Sequence, residues 1–163
     1  MLAVGDAAPD FKAQDCRGRE ITLSSLRGRP VVLFFFPRAF TVACTLEVRA
    51  FRDNHDRIRE LGAELVGVSV DSAQRQCEFA DAENVHFTLL SDESRTLSKP
   101  FGVLWPVLNV DRRVTFILDE RGVVEHVIHH EVKVYRHLDD CIAYLESRPP
   151  RAGVAEEPVA REE

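Results

Sequence analysis

The stretch Val31-Val32-Leu33-Phe34-Phe35-Phe36, unbroken in its apolarity and closed by Pro37, constrains this chain more than any other. A membrane helix needs about 20 such residues, so the run is far too short to span a bilayer. Alternation is absent, so neither side of the segment meets water, as in a central strand covered on both faces. Covering both faces of a sheet takes helices above and below it, which makes the fold α/β.

The remaining pattern agrees with that frame. Across residues 45–61, Val48, Phe51, Ile58 and Leu61 recur at helical spacing and Gly62 stands as a stop, predicting one long helix directly after the strand. Residues 65–70 read as a second strand and residues 72–83 as a helix capped by Asp71 or Ser72, which completes a strand-helix-strand crossover. Residues 87–90 and 115–118 are short strands, and Asp119-Glu120-Arg121-Gly122 turns the latter into an antiparallel partner over 123–128. A small N-terminal hairpin is expected from 11–13 and 20–23, with a polar turn that exposes Cys16. Residues 134–145 form a helix with Leu138, Ile142 and Leu145 on one side and Cys141 in the core. The expected architecture is a central mixed β-sheet flanked by helices, in one domain over residues 1–146. Residues 147–163, rich in proline and without an aromatic, read as a disordered C-terminal tail.

Charge and cysteine usage narrow the function. Lys plus Arg is 21 against 27 for Asp plus Glu, a net charge of −6, which argues against nucleic-acid or anionic-membrane partners. Met1-Leu2-Ala3-Val4-Gly5-Asp6 lacks the basic and apolar regions of a secretory signal, so a cytoplasmic location is expected. Cys16, Cys44, Cys77 and Cys141 form no CxxC pair and no ligand-spaced cluster, so a structural disulfide framework is not expected.

Of the four, Cys44 is the unusual one. Pro37-Arg38-Ala39-Phe40-Thr41-Val42-Ala43-Cys44 lies between the central strand and the long helix. Ligand chemistry in open α/β sheets concentrates beyond the carboxyl ends of strands. Cys44 falls in or just before the first helical turn, where unpaired N–H groups and the helix dipole favour an anion. The thiolate is that anion and is the nucleophilic form of cysteine. Thr41 precedes Cys44 at the spacing of a capping box, with sulfur in the acidic slot. Its hydroxyl is expected to bond the sulfur or an attacking oxygen, while Pro37, lacking an N–H, walls one side. A threonine cap over an inert buried cysteine is the bland alternative.

Pro37-x-x-x-Thr41-x-x-Cys44 resembles the active-site signature of the peroxiredoxins, the AhpC/TSA family. The resemblance extends over residues 3 to about 146, through Gly5-Asp6-x-Ala8-Pro9-Asp10-Phe11, Arg27-Gly28-Arg29-Pro30-Val31-Val32-Leu33 and Arg113-x-Thr115-Phe116-Ile117-Leu118-Asp119. It is nearest to the bacterioferritin-comigratory (PrxQ) group and one-cysteine relatives. It implies a thioredoxin-like fold and a thiol-dependent peroxidase that reduces hydrogen peroxide and organic hydroperoxides, with no metal, haem or flavin. Recycling by thioredoxin or a low-molecular-weight thiol, and a monomer or homodimer, are expected with it. Cys44 becomes the peroxidatic thiol, Thr41 and Arg113 the polar groups around it, Pro37 the shield and Glu47 an acidic residue that orients an arginine. Arg113 begins a predicted strand and carries several donors for sulfur or peroxide oxygen; the adjacent Arg112 is its rival.

The chain departs from the commonest PrxQ pattern at the resolving cysteine, because the position five residues after Cys44 is Arg49. Cys77, on the next predicted helix, is the possible resolving thiol, although relatives that resolve from this helix do so nearer Ala80. Packing in a stripe with Ala73 and Ala80 is its structural alternative. Cys16, Cys141 and an external thiol stay open as resolvers. A cysteine phosphatase needs five residues between its cysteine and arginine, whereas Cys44 and Arg49 have four between them. A disulfide reductase needs CxxC. His126, His129 and His130, with His137 nearby, read as solvated strand histidines rather than a metal site, since His129 points away from the other two on a strand. Phe40, Phe101 and Trp105 are expected in the core. The alternative from another class is a non-catalytic thiol redox sensor or holdase on the same fold.

Overall fold

The computed structural model describes residues 1–148 of the 163-residue chain; of the predicted 147–163 tail, Ser147 is instead helical and Arg148 pairs with Glu120 and Glu125 at 2.7 Å each, and the rest lies outside the described residues. In chain order the elements are β1 (Lys12–Asp15), β2 (Glu20–Thr22), β3 (Val31–Phe35), α1 (Val42–Asp53), α2 (His55–Glu60) and β4 (Glu64–Ser69). There follow α3 (Ala73–Ala82), β5 (Thr88–Ser91), α4 (Ser98–Phe101), β6 (Val114–Leu118), β7 (Val124–His129) and α5 (Tyr135–Ser147). The strands form one seven-stranded mixed sheet in the order β2-β1-β5-β4-β3-β6-β7. Strands β3, β4 and β5 run parallel, and the β1-β2, β1-β5, β3-β6 and β6-β7 pairs are antiparallel. This is the thioredoxin-like arrangement with an N-terminal hairpin that the sequence leads one to expect.

The apolar run is the spine. Side chains of a strand alternate between faces, and here both faces are covered. Val32, Phe34 and Phe36 enter a core with Val48 and Phe51 of α1, Ile58 of α2, Phe79 of α3 and Leu145 of α5. Val31, Leu33 and Phe35 enter a second core with Phe11, Leu97, Phe101 and Val103. Burying each phenylalanine contributes about 2–3 kcal/mol, and Phe34, Phe35 and Phe36 are all fully buried.

The single long helix expected over 45–61 is instead two. It starts earlier, at Val42, and breaks at Asn54. The Asn54 side-chain amide donates to the Ala50 carbonyl at 2.9 Å, the acceptor that its backbone N–H would take in a continuing helix. That N–H turns to Phe51 O at 3.2 Å, and the chain restarts as α2. The short helix α4 and a 3-10 turn over Ser24–Leu26 lack a periodic signature and were not expected. Phe101 packs in the core as anticipated, against Phe35 and Phe116 at ring-centroid distances of 5.3 Å each. Phe40 does not: it is 42% exposed.

One glycine sets how closely α1 lies on the sheet. Gly67 of β4 sits between Phe34 and Leu89 in register, and the Phe34 ring stacks on Phe51 of α1 at 4.3 Å. A Cβ at Gly67 would meet Phe34 Cζ and Leu89 Cδ2 at 2.7 Å each. Gly67→Ala is therefore expected to lower stability by about 1–3 kcal/mol through overpacking, measured by urea denaturation.

Candidate active site

Sheet topology brings the two ends of the site together. Phe35 is paired with Val114 in the antiparallel β3-β6 ladder, so the residue before Val114, Arg113, lies beside the point where β3 ends and the Pro37 loop begins. The loop is held from the other side as well. The buried Asp71 carboxylate accepts the Ala39 N–H at 2.7 Å and the Ser69 hydroxyl at 2.7 Å, fastening the loop to the end of β4. Ser72, not Asp71, caps α3 by accepting the Arg75 N–H at 3.2 Å. Phe40 completes the loop with a φ of 71°, a left-handed conformation uncommon for a side-chain-bearing residue. Its ring packs on Phe79 at 5.1 Å, under the Arg75 guanidinium at 4.9 Å.

Thr41 is the N-cap of α1 in extended conformation, and Cys44 is the third residue of the helix. The expected capping geometry of the chain is present, but the Thr41 hydroxyl makes no cap bond and instead donates to the Arg38 carbonyl at 2.9 Å. Its lone pairs are left to accept. Pro37 is half-buried at the head of the loop. Cys44 is completely buried, and Arg113 Nη1 donates to its Sγ at 3.4 Å. Arg112, the rival, is placed elsewhere, over the half-buried Trp105 ring at 4.1 Å.

Glu47 stands one turn after Cys44 on α1 and accepts from the same Arg113 Nη1 at 2.7 Å. Arg113 is further tied by Nε to the Glu131 carbonyl at 3.0 Å, while its backbone N–H meets both Glu131 carboxylate oxygens at 3.2 Å. The guanidinium is thus aimed from three directions. Burial opposes its charge, but Glu47 and Cys44 outweigh that and hold it more firmly protonated than usual. Burial pushes the Glu47 carboxyl up to about 7, against the pull of Arg113. Burial thus works against the negative charge of Glu47, and the 2.7 Å pair with Arg113 works for it.

His137, placed with the solvated histidines by its sequence neighbourhood, is a buried member of this site. Its Nδ1 lies 2.8 Å from Thr115 Oγ1, its Nε2 2.8 Å from the His130 carbonyl, and Nδ1 is 3.8 Å from Glu47 Oε2. Burial lowers it to about 4, so it is neutral at pH 7, with Nε2–H donating to His130 and Nδ1 accepting from Thr115. The other histidines do stay nearer the surface: His126 stacks on Tyr144 at 4.4 Å and the exposed His129 pairs with Glu131 at 2.8 Å. Among the described residues no group of three His, Cys, Asp or Glu is arranged to hold a metal ion.

The other cysteines fall into two groups. Cys141 is fully buried, as expected, and burial pushes its thiol up to about 12. Cys77 is half-buried on α3, so Ala80 faces the core more completely than it does. Its thiol donates to the carbonyl of Cys16. Cys16 is half-buried against the main core, less exposed than a polar turn suggests. Arg49, five residues after Cys44, pairs with Glu83 at 2.5 Å and straps α1 to the end of α3.

The site thus places a guanidinium against a buried thiol in the first turn of a helix, at the carboxyl end of the central strand. Comparison with known proteins supplies the family. Residues 4–127 match the AhpC/TSA family. Over 147 residues, 90% of this chain and 68% of the other, it is 37% identical to the chloroplastic peroxiredoxin Q of Oryza sativa subsp. japonica. The crystal structure of the peroxidoxin BcpB from Mycobacterium tuberculosis superposes with a TM-score of 0.86 at 35% identity, covering 92% of this chain and 100% of that one. A Xanthomonas campestris bacterioferritin comigratory protein, studied for its alkyl peroxide reduction, superposes with a TM-score of 0.81 at 26% identity, covering 89% and 98%. The chain belongs to the AhpC/TSA family, within its peroxiredoxin Q/Bcp group, and is a peroxidase-type oxidoreductase.

The burial of Glu47 has a measurable sign. Its folded value of about 7 lies above the ordinary 4.5, so the folded state binds the proton more tightly and stability falls as pH rises between them. His137 acts in the opposite direction, and Asp111, which burial raises to about 8, in the same one. The difference between wild type and Glu47→Gln cancels both. Urea denaturation is expected to show wild type losing up to about 3 kcal/mol relative to the variant between pH 4.5 and 8.

Proposed function

We propose that Cys44 is the peroxidatic thiol, with Arg113, Thr41, Pro37 and Glu47 arranged around it as the reaction requires. The contact from Arg113 Nη1 to Cys44 Sγ at 3.4 Å carries this reading. The guanidinium and the helix N-terminus both stabilise negative charge on sulfur. The thiolate attacks the terminal oxygen of a hydroperoxide, the O–O bond breaks, and the leaving alkoxide or hydroxide develops charge within reach of the remaining Arg113 donors. Thr41, whose proton is committed to Arg38, offers its oxygen as acceptor to the peroxide O–H, and Pro37 limits water at the thiol. Glu47 and Glu131 position Arg113.

Hydrogen peroxide and organic hydroperoxides are the substrates. Val42, at 77% exposure, and Leu46, at 51%, give the start of α1 an apolar border, which suits an organic substituent. Attack leaves Cys44 as a sulfenic acid, and condensation with a second thiol guards it from over-oxidation. Cys77 is the internal candidate for that thiol. Because Cys44 is buried, the meeting requires the first turn of α1 to open. Thioredoxin or a low-molecular-weight thiol then restores the reduced enzyme. A cytoplasmic location and a monomer or homodimer complete the reading, and the peroxiredoxin Q/Bcp relatives do not favour a sensor or holdase role. Among the described residues no helix is long and apolar enough to cross a membrane.

One equivalent of hydrogen peroxide added to the fully reduced protein is expected to change its intact mass, while Cys44→Ser stays unmodified. Equal absence of change in both proteins would make Cys44 an inert core cysteine.

A further inference from the structure

Two half-buried cysteines outside the Cys44 site stand against one another. Cys16 lies in the β1-β2 turn and Cys77 on α3, 61 residues apart, and the Cys77 thiol donates to the Cys16 carbonyl. Each is held in place by its own contacts. The Asp15 carboxylate accepts the backbone N–H groups of Arg17 and Arg19 at 2.9 and 2.8 Å and Arg19 Nε at 2.7 Å, while the Cys16 N–H donates to Leu89 O at 3.0 Å. Helix α3 is fixed by Gln76 Nε2 on the Leu90 carbonyl at 2.8 Å and tied to the turn by Arg17 on Asp81 at 2.6 Å. The two sulfur-bearing residues are therefore neighbours by construction of two rigid elements. Burial, a hydrogen bond to the Cys77 thiol and its charge together push Cys16 up to about 12, so this thiol is a poor direct target for peroxide.

We propose that Cys16 and Cys77 form a second redox centre, a dithiol that closes to a Cys16–Cys77 disulfide and takes the oxidising equivalents off Cys44. The inference rests on Cys44 being the peroxidatic thiol. The Cys77 thiolate attacks the Cys44 sulfenic acid, a sulfur-sulfur bond forms, and hydroxide leaves and is protonated to water. The Cys16 thiolate then attacks the Cys77 sulfur, the Cys44–Cys77 bond breaks, and Cys44 departs as a thiolate. Two electrons have passed from the Cys16/Cys77 pair to the peroxide, and Cys44 is ready for another turnover. An external dithiol reduces the new disulfide by the same exchange.

Two features of the site favour this direction. The thiolate released from the mixed disulfide is Cys44, and when the first turn of α1 closes again it returns to the Arg113 contact seen at 3.4 Å in the reduced chain, which draws the exchange forward. Cys77, once bonded to Cys44, no longer hydrogen-bonds or repels Cys16, which lessens the upward push on the Cys16 thiol while leaving the larger effect of burial in place. The product disulfide joins two half-buried residues, whereas Cys44 is fully covered. The relay thus moves the oxidised bond to where a reducing partner has access.

The test uses the wild-type chain, in which each of the four cysteines lies on its own tryptic peptide. Fully reduced protein receives one equivalent of hydrogen peroxide, free thiols are alkylated at acid pH, and peptides are mapped without reduction. The expected product links the Cys16 and Cys77 peptides and leaves Cys44 and Cys141 alkylated. In Cys16→Ser the map is expected to stop at the Cys44–Cys77 link, and in Cys44→Ser no link forms at this dose. Wild type ending as a Cys44–Cys77 disulfide, or as a Cys44 sulfenic acid with Cys16 and Cys77 both alkylated, overturns the relay while leaving the peroxidase intact. A Cys16–Cys77 link that forms equally fast in Cys44→Ser also overturns it. Unoxidised Cys44 with no link anywhere overturns the peroxidase reading itself.

Discussion

The organisation of this molecule depends on one contact, between the Arg113 guanidinium and the Cys44 sulfur, both out of reach of bulk water. An isolated cation in such a place costs several kcal/mol to desolvate. The structure offsets this with Glu47 on Nη1 and the Glu131 carbonyl on Nε, while the Glu131 carboxylate takes the Arg113 backbone N–H. The cation is consequently preorganised: no solvent has to reorganise when charge develops on sulfur or on a departing oxygen.

Preorganisation of this kind needs a rigid frame, and the apolar strand β3 provides it. Filled on both faces, it fixes where the chain must leave the sheet, and its antiparallel neighbour β6 starts at that same edge, directly after Arg113. The long reach from Asp71 to Ala39 then determines the path of the loop into α1. Glu47 adds orientation, since its bond to Arg113 Nη1 at 2.7 Å fixes the same nitrogen that faces the sulfur. Local opening, which any route from Cys44 to a second thiol demands, must work against all of these ties, so the chemistry before and after that opening uses two different conformations of one short helical turn.

The parts of this design that were legible in the sequence are those encoded locally. The strand, the helix start and the Cys44–Glu47 spacing are patterns within a few residues, and Arg113 could be placed because a strand start is readable from Thr115-Phe116. What escaped was encoded between distant segments. Asp71 and Ser72 are equal candidates for the cap of α3 in the sequence, and only the fold shows Ser72 in that role with the Asp71 carboxylate turned to the loop. His137 looked like one of several surface histidines, and its burial follows from the docking of α5 against β6. The helix break at Asn54 escaped because a side-chain amide competing for one carbonyl leaves the apolar periodicity untouched. The neighbourhood of Cys16 and Cys77 was invisible because no pattern links a hairpin turn to a helix 61 residues away.

The central claim is that Arg113 makes Cys44 reactive. The most direct measurement is the second-order rate constant for hydrogen peroxide oxidising fully reduced protein, in wild type and in Arg113→Gln, with circular dichroism to confirm that both are folded. The account predicts a fall of about 100-fold or more in the variant. A rate constant within twofold of wild type in a folded variant would contradict it, and would place the source of Cys44 reactivity elsewhere in the helix turn.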